Sequence, residues 1–170
     1  AYKTIYGDYA KKVSKKAMTK IELEEKMALL SGSLNYSDLD NQEIIIEAVF
    51  EDLKLKQNIL KDVEANAKAN TIFATNTSTV LPSTLAPYTG RPNQFIALHF
   101  ANDIRKYNTA EIMGHSGTDQ AVFDLLVSFA KSIGMVALPI YKEQPAYILN
   151  SLLVPFLDAA LELWGKGVAD

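Results

Sequence analysis

The sequence predicts an α/β fold, a mainly parallel β-sheet with helices on both faces, and three observations support it. From residue 42 onward, short apolar runs rich in β-branched residues alternate with helical segments of about 10 to 17 residues, the pattern of βαβ units. Hydrophobic residues make up 48% of the chain and charged residues 22%, a balance that excludes a disordered or fibrous protein. The 170 residues suffice for one domain with a sizeable core.

Composition excludes several functional classes. The net charge of −3 and the pI near 5.4 give no basic surface for nucleic acid or anionic lipid. The chain has no cysteine and only two histidines, so we expect no disulfide, no thiolate metal site and no multi-histidine metal centre. The opening AYKTIYGDYAKK lacks the basic and apolar regions of a signal peptide, which predicts a cytoplasmic protein.

The first 30 residues are charged, contain no proline and predict two helices. The first carries apolar residues at spacings of three and four: Tyr2, Ile5, Tyr9 and Val13. The second begins at Thr19, which forms a capping box with Glu22, and it ends near Ser31 and Gly32.

The strands and helices that follow are read from their apolar patterns. Five strands are expected, at 44–49, 71–75, 95–100, around 111–113 and at 135–141. A helix over 51–67 should bury Leu55, Ile59 and Val63, and 83–87 should form a short helical turn. A helix capped by Thr118 or Asp119 should end at Gly134 and bury the stripe Val122, Leu125, Leu126, Phe129 and Ile133.

The last segment, 146–164, is apolar on nearly every side and about long enough to span a bilayer. It also contains Asn150, Asp158, Glu162 and Pro155, which favour a kinked, buried helix over a membrane span. We therefore expect a helix that leads to a further domain or to a partner subunit and is poorly buried by these 170 residues alone.

Polar residues that follow the predicted strands are candidates for chemistry, because parallel sheets bind ligands at the carboxyl ends of their strands. His99 ends an apolar strand and can exchange protons near neutral pH. Glu111 begins the next strand and could orient the imidazole. A lone histidine at a strand end is more often structural than catalytic, but its position and the acid on the next strand make the two roles of His99 equally supported. Ser78 could cap the turn at 80–85 or contact a ligand, and Asn150 could bond a neighbouring backbone group or a ligand.

Several motifs resemble one family. The stretch NTSTVLPSTLAPYTGRPNQFIALHFAN, then NTAEIMG, then KEQPAYILNSLLVPFLDAALELWGKGVAD, is similar to the NAD-binding domain of 3-hydroxyacyl-CoA dehydrogenases. The family motifs are N-T-S-S, L-H-F-F-N, V-E-V and P-G-F-I-V-N-R-L-L-x-P, and IIIEAVFEDLKLK matches E-A-x-x-E-x-x-x-x-K. Diketoreductase-like members look most similar. The resemblance is good over 34–170 and loose over 1–33.

This resemblance implies a Rossmann-like fold, NAD as cofactor and hydride transfer at C3 of a 3-hydroxyacyl-CoA or a related 3-hydroxy or 3-oxo acid. It implies that His99 is the general base and Glu111 the acid that orients it. The substrate-binding residues would be Ser78 and Asn150, and the cofactor-binding residues Glu51, Lys56 and Asn102. A homodimer formed through the C-terminal region is also implied.

The sequence departs from the family pattern at several positions. Ala101 stands where many members have Phe, Asp103 where they have Pro, and Ala146 replaces a Gly, so the need for a CoA ester stays open. No Gly-x-Gly-x-x-Gly occurs in the 170 residues. We therefore expect a partial dinucleotide-binding domain over 1–143, with its first β-α-β unit before Ala1. Residues 144–170 would be a connecting helix and the start of a helical domain. The alternative is an inactive fragment that serves as a binding or assembly module.

Overall fold

The computed structural model describes residues 1–104 and 106–168, and the chain divides into two compact units. The first, Ala1–Asn35, contains helices α1 (Tyr2–Ser14) and α2 (Lys20–Ala28). The predicted capping box is confirmed, since the Glu22 N–H donates to Thr19 Oγ1 and Thr19 N–H donates to Glu22. The hydrogen bonds from the backbone and hydroxyl of Thr19 hold the pKa of Glu22 below its usual value.

The second unit begins at Tyr36 and is built on a five-stranded sheet in the order β1-β2-β3-β4-β5. The strands are β1 (Ile44–Glu47), β2 (Ile72–Thr75), β3 (Phe95–Phe100), β4 (Thr109–Met113) and β5 (Val136–Ile140). β1, β2 and β3 run parallel, β4 is antiparallel to β3, and β5 is parallel to β4. The predicted, mainly parallel sheet is confirmed. Because β4 runs antiparallel to β3, the end of β3 lies beside the start of β4.

Helices cover both faces of the sheet, as expected. The described helices of this unit are α3 (Leu53–Glu64), α4 (Pro82–Leu85), α5 (Gln120–Ser132) and α6 (Leu149–Gly165). On one face, α3 and α4 contribute to a core that includes Leu60, Val63, Phe73, Leu85 and Phe95. On the other face, α5 packs on alternate residues of β2, β3 and β4, among them Ala74, Ile96, Leu98 and Ile112. Successive residues of β3 point to opposite faces of the sheet. Because helices cover both faces, this strand is buried along nearly its whole length.

Two predicted helix faces were partly wrong. In α3, Leu55 is exposed, whereas Lys56 and Leu60 are buried. In α5, the exposed fractions of Leu125 and Ile133 are 46% and 44%. The buried residues of α5 are Val122, Phe123, Leu126 and Ala130. Each helix is rotated relative to the prediction, because apolar residues on neighbouring stripes of the helix fit the same spacing and only the sheet selects between them.

α6 has no buried residue, which confirms the expectation that this chain alone covers it poorly. It starts at Leu149, later than predicted, and contains Pro155. Its exposed large apolar side chains are Leu152, Leu153, Val154, Phe156, Leu157, Leu161, Leu163 and Trp164. In the part of the chain that the structure describes, no helix combines the length and hydropathy needed to cross a bilayer.

Candidate active site

The antiparallel pairing of β3 and β4 brings the two predicted acid–base residues together. His99 lies directly opposite Glu111 in the strand register, so the two side chains leave the same face of the sheet. His99 Nδ1 and Glu111 Oε2 are 2.8 Å apart. The predicted hydrogen bond between these residues is therefore confirmed.

Glu111 is completely buried and uses both carboxylate oxygens. Oε2 pairs with His99, and Oε1 accepts the N–H groups of Ile148 at 2.8 Å and Leu149 at 2.9 Å, at the start of α6. Since a carboxylate only accepts, the Nδ1 atom of His99 carries the proton of the shared hydrogen bond. In a neutral imidazole of this tautomer, Nε2 is the acceptor nitrogen, which suits a group that takes up a proton.

His99 borders a cavity of about 740 Å³ at the end of β3. Polar residues at its edge include Ser78, His99, Asn102 and Asn150, together with Tyr107 and Thr109, and its apolar wall includes Leu149, Leu152, Leu153 and Phe156. Four of the predicted site residues thus lie around one cavity. An apolar cavity with a few converging polar groups is the usual form of a small-molecule site.

The hydroxyl and amide groups at this cavity are available to a ligand. No hydrogen bond joins the side chains of Ser78, Asn102 or Asn150 to another group in the described ranges 1–104 and 106–168. The turn after β2 is instead held by Thr77, whose Oγ1 accepts the N–H groups of Thr79 and Val80. The interpretation of Ser78 as the cap of the turn at 80–85 is therefore wrong, and the helix there, α4, has no side-chain cap.

A second polar cluster lies where β1 ends. The exposed fraction of the Lys56 side chain is only 1%, and its ammonium lies 2.9 Å from Glu47 and 3.1 Å from Glu51. Glu47 also accepts the Thr75 hydroxyl at 2.8 Å and the Val49 N–H at 2.7 Å. Glu47 was not predicted as a functional residue, although a carboxylate that closes the apolar run IIIE was a usable signal.

Glu51 connects this cluster to the cavity. Its Oε1 accepts the hydroxyls of Thr77 and Thr79 and the N–H groups of Ser78 and Thr79. Burial would raise the pKa of Glu51, but the hydrogen bonds from Thr77, Thr79 and Lys56 outweigh it and lower that pKa to about 2. The ionised carboxylate therefore fixes the loop that carries Ser78.

The predicted cofactor residues occupy two places. Asn102 lies on the cavity beside His99, whereas Glu51 and Lys56 form the neighbouring ion-pair cluster and do not border the cavity. Asn76 ties the two regions together, because its Oδ1 accepts the Phe100 N–H at 2.9 Å across the ends of β2 and β3.

Comparison with known proteins identifies the family. The family described as "3-hydroxyacyl-CoA dehydrogenase, NAD binding domain" matches residues 1–144, including the N-terminal part where the resemblance was loose. The chain belongs to the 3-hydroxyacyl-CoA dehydrogenase family. NAD is the cofactor of this family's domain. Asn102, at the cavity beside His99, is the candidate for its nicotinamide end, and no Gly-x-Gly-x-x-Gly occurs in the 170 residues for its pyrophosphate.

Individual relatives agree with this family. The fatty acid oxidation complex subunit alpha of Idiomarina loihiensis is 41% identical over 158 residues, which are 93% of this chain and 22% of that protein. A solved diketoreductase structure shares 43% identity at a TM-score of 0.91 and covers 99% of this chain and 60% of its own. The structure of the (S)-3-hydroxybutyryl-CoA dehydrogenase of Ralstonia eutropha shares 28% sequence identity at a TM-score of 0.90. The match covers 98% of this chain and 59% of that one. The chain thus spans about a fifth of the length of the curated relatives that it matches.

Proposed function

We propose that the protein is an NAD-dependent oxidoreductase that interconverts a 3-hydroxy and a 3-oxo group on an acyl-CoA or a related acid. The observation that carries the proposal is the buried His99–Glu111 pair, joined through Nδ1, at the edge of a largely apolar cavity. In a dehydrogenase of this family, NAD supplies the acceptor for the hydride that leaves C3.

His99 is the proposed general base. In the oxidation direction, Nε2 takes the proton of the 3-hydroxyl while the C3–H bond gives up its electron pair with the hydrogen. In the reduction direction, the protonated imidazole returns that proton to the carbonyl oxygen. Each direction therefore moves one proton at Nε2, while the Nδ1 proton stays on His99 and keeps its hydrogen bond to Glu111.

Glu111 is the proposed partner that makes this proton transfer possible. Its carboxylate holds the imidazole through Nδ1 and stabilises the positive charge that appears when Nε2 is protonated. The two N–H groups of Ile148 and Leu149 keep the other oxygen occupied, so the carboxylate cannot turn away from His99.

Ser78 and Asn150 are the proposed substrate contacts, and Glu51, Lys56 and Asn102 the proposed cofactor contacts. The hydroxyl of Ser78 and the amide of Asn150 can donate to the 3-oxygen or to the acyl carbonyl next to it. Leu152, Leu153 and Phe156 would receive the acyl chain. Small Ala101, in place of the family's Phe, leaves room there for a substrate that differs from a simple acyl-CoA.

Steady-state kinetics test this function on the protein encoded by the complete gene. The substrates are acetoacetyl-CoA and a free 3,5-dioxo ester, each with NADH and with NADPH. We expect saturable reduction of at least one substrate with NADH, detected as loss of its absorbance. Absence of reduction with both substrates and both cofactors, in a protein that is folded by circular dichroism, would contradict the proposal.

A catalytically inactive binding or assembly module is the second candidate, favoured by the absence of Gly-x-Gly-x-x-Gly from the 170 residues. The exposed apolar face of α6 adds to this, since such a surface is typical of a contact site. An inactive complete protein that still self-associates would support this candidate.

We also propose a domain arrangement and an assembly. Residues 1–143 form part of the dinucleotide-binding domain, and 144–170 a connecting helix whose apolar face is covered by a helical C-terminal region that forms a cytoplasmic homodimer. Sedimentation equilibrium of the complete protein tests this. A single species of dimer mass is expected, and a monomer at micromolar concentration would contradict it.

A further inference from the structure

Two consecutive residues in front of α6 adopt an unfavourable backbone conformation. Ala146 has φ +64° and Tyr147 has φ +57°, in the left-handed region that residues with a Cβ rarely occupy. The N–H groups of the next two residues, Ile148 and Leu149, are those that donate to Glu111. The strained corner therefore turns the chain so that both N–H groups meet one carboxylate oxygen.

Tyr147 is a buried aromatic residue that the proposed chemistry does not use. Its ring is fully buried and packs in a cluster with Ala97, Met113 and Ile140. The ring centroid lies 4.8 Å from that of the His99 imidazole, with an angle of 42° between the planes. Tyr147 does not border the cavity, so it contacts the imidazole without contacting a bound substrate.

The hydroxyl of Tyr147 does not explain its position. This oxygen is buried and has no hydrogen-bond partner in the described part of the chain. Burial, followed by the charges of Glu111, Glu51 and Glu143, raises the pKa of Tyr147, so the phenol stays neutral and gives up no proton. The contribution of the side chain to the site is therefore its ring.

We propose that Tyr147 is a positioning residue for the dehydrogenase reaction. Its ring limits rotation of the imidazole, while its left-handed backbone directs two N–H groups at Glu111. This inference rests on the proposed function of His99. The ring holds Nδ1 against Oε2, so that the imidazole keeps one orientation at the edge of the cavity in every turnover.

Three substitutions distinguish the effect of the ring from the effects of the hydroxyl and of side-chain volume. Tyr147→Phe keeps the ring, Tyr147→Met keeps much of the volume without a flat face, and Tyr147→Leu removes the ring. Two readouts are compared: the downfield proton NMR signal of His99 Nδ1–H, and kcat and KM for acetoacetyl-CoA in the complete protein. The NMR signal does not require activity, so it reports on Tyr147 even if the proposed function fails.

We expect Tyr147→Phe to keep the Nδ1–H signal and to leave kcat within about twofold. Tyr147→Met and Tyr147→Leu should broaden or lose the signal and lower kcat by about 10- to 100-fold with KM nearly unchanged, since misplaced reacting groups cost rate rather than binding. If the Tyr147→Leu protein does not fold, Tyr147→Met, which keeps more of the side-chain volume, still tests the loss of the ring. An unchanged Nδ1–H signal and kcat in a folded Tyr147→Met protein would overturn the inference. Parallel losses in Tyr147→Phe would overturn it too, because they would assign the effect to the hydroxyl.

Discussion

A single residue in front of α6, Ala146, has a strained backbone that helps to shape the site. Ala146 occupies a left-handed conformation that glycine adopts without strain, and it stands where the family pattern has glycine. The corner is kept because its geometry brings two N–H groups to Glu111. Backbone strain next to a buried hydrogen-bonded pair of this kind is typical of a functional site.

Ala146→Gly should stabilise the protein. Relief of the left-handed strain outweighs the greater freedom of glycine in the unfolded chain, so we expect the free energy of unfolding to rise by about 0.5 to 1 kcal/mol. Urea denaturation followed by circular dichroism measures it. Ala160→Gly is the matched control, because that residue lies in the interior of α6 and should lose about 1 kcal/mol. Destabilisation by both substitutions would contradict the strain at Ala146.

Glu51 should make stability depend on pH in acid. Its pKa is about 2 in the folded protein and about 4.3 in an unfolded chain, so its stabilisation is complete above pH 4.3. It is lost as the pH falls toward 2. Because 36% of the side chain is exposed and solvent screens its charge, we expect a loss of about 1 kcal/mol.

Urea midpoints at a series of acid pH values test this expectation. The parent protein should lose more stability between pH 5 and 2 than Glu51→Gln, while Glu43→Gln, which alters an exposed carboxyl, should follow the parent. Equal losses in the parent and in Glu51→Gln would show that the hydrogen bonds to Glu51 do not act as described.

Site residues differed in how far the sequence could predict them. The pairing of His99 with Glu111 follows from one strand end meeting the next strand start, and it was predicted. The packing of Tyr147 on the imidazole brings together distant parts of the chain. The burial of Lys56 between Glu47 and Glu51 joins close sequence neighbours, but it depends on how the chain turns from β1 into α3. Helix or strand periodicity contains no information about such contacts.

At the scale of elements, the strands were predicted well and the helix faces less well. β3 was predicted with its observed bounds, because a six-residue apolar run is buried on both faces of the sheet. In α5 the predicted and observed stripes share Val122 and Leu126 but diverge elsewhere. An apolar helix offers several acceptable stripes, and the sheet beneath it decides which one is buried.

A pair of substitutions in α5 tests the observed face. Leu126 is completely buried, so Leu126→Ala should lower the free energy of unfolding by about 2 to 5 kcal/mol. Leu125 is adjacent and 46% exposed, so Leu125→Ala should cost less than about 1 kcal/mol. Thermal or urea unfolding of both variants gives the difference. Similar losses of unfolding free energy in the two variants would contradict the observed face and support the predicted one, which includes Leu125.

At the scale of the whole molecule, cofactor binding is the property least supported by the 170 residues themselves. Glu51, Lys56 and Asn102 are the proposed contacts near the nicotinamide end, but the pyrophosphate carries most of the ligand's charge and is normally held by a glycine turn and a helix N-terminus. That motif does not occur in the sequence.

The 170-residue chain should therefore bind NADH weakly, without saturation at about 1 mM. Calorimetric or fluorescence titration measures this, with the protein from the complete gene as the positive control. Tight, saturable binding by the 170-residue chain would mean that another segment, such as the loop at Ser31 and Gly32, holds the phosphates.

The most direct measurement of the central claim is kcat for acetoacetyl-CoA reduction by His99→Gln in the complete protein, with the NADH dissociation constant measured alongside. If His99 exchanges the proton at the 3-oxygen, kcat falls by about 10²- to 10⁴-fold while NADH binding stays within about threefold of the parent. A folded His99→Gln protein that binds NADH and keeps a kcat near that of the parent would contradict the role of the His99–Glu111 pair.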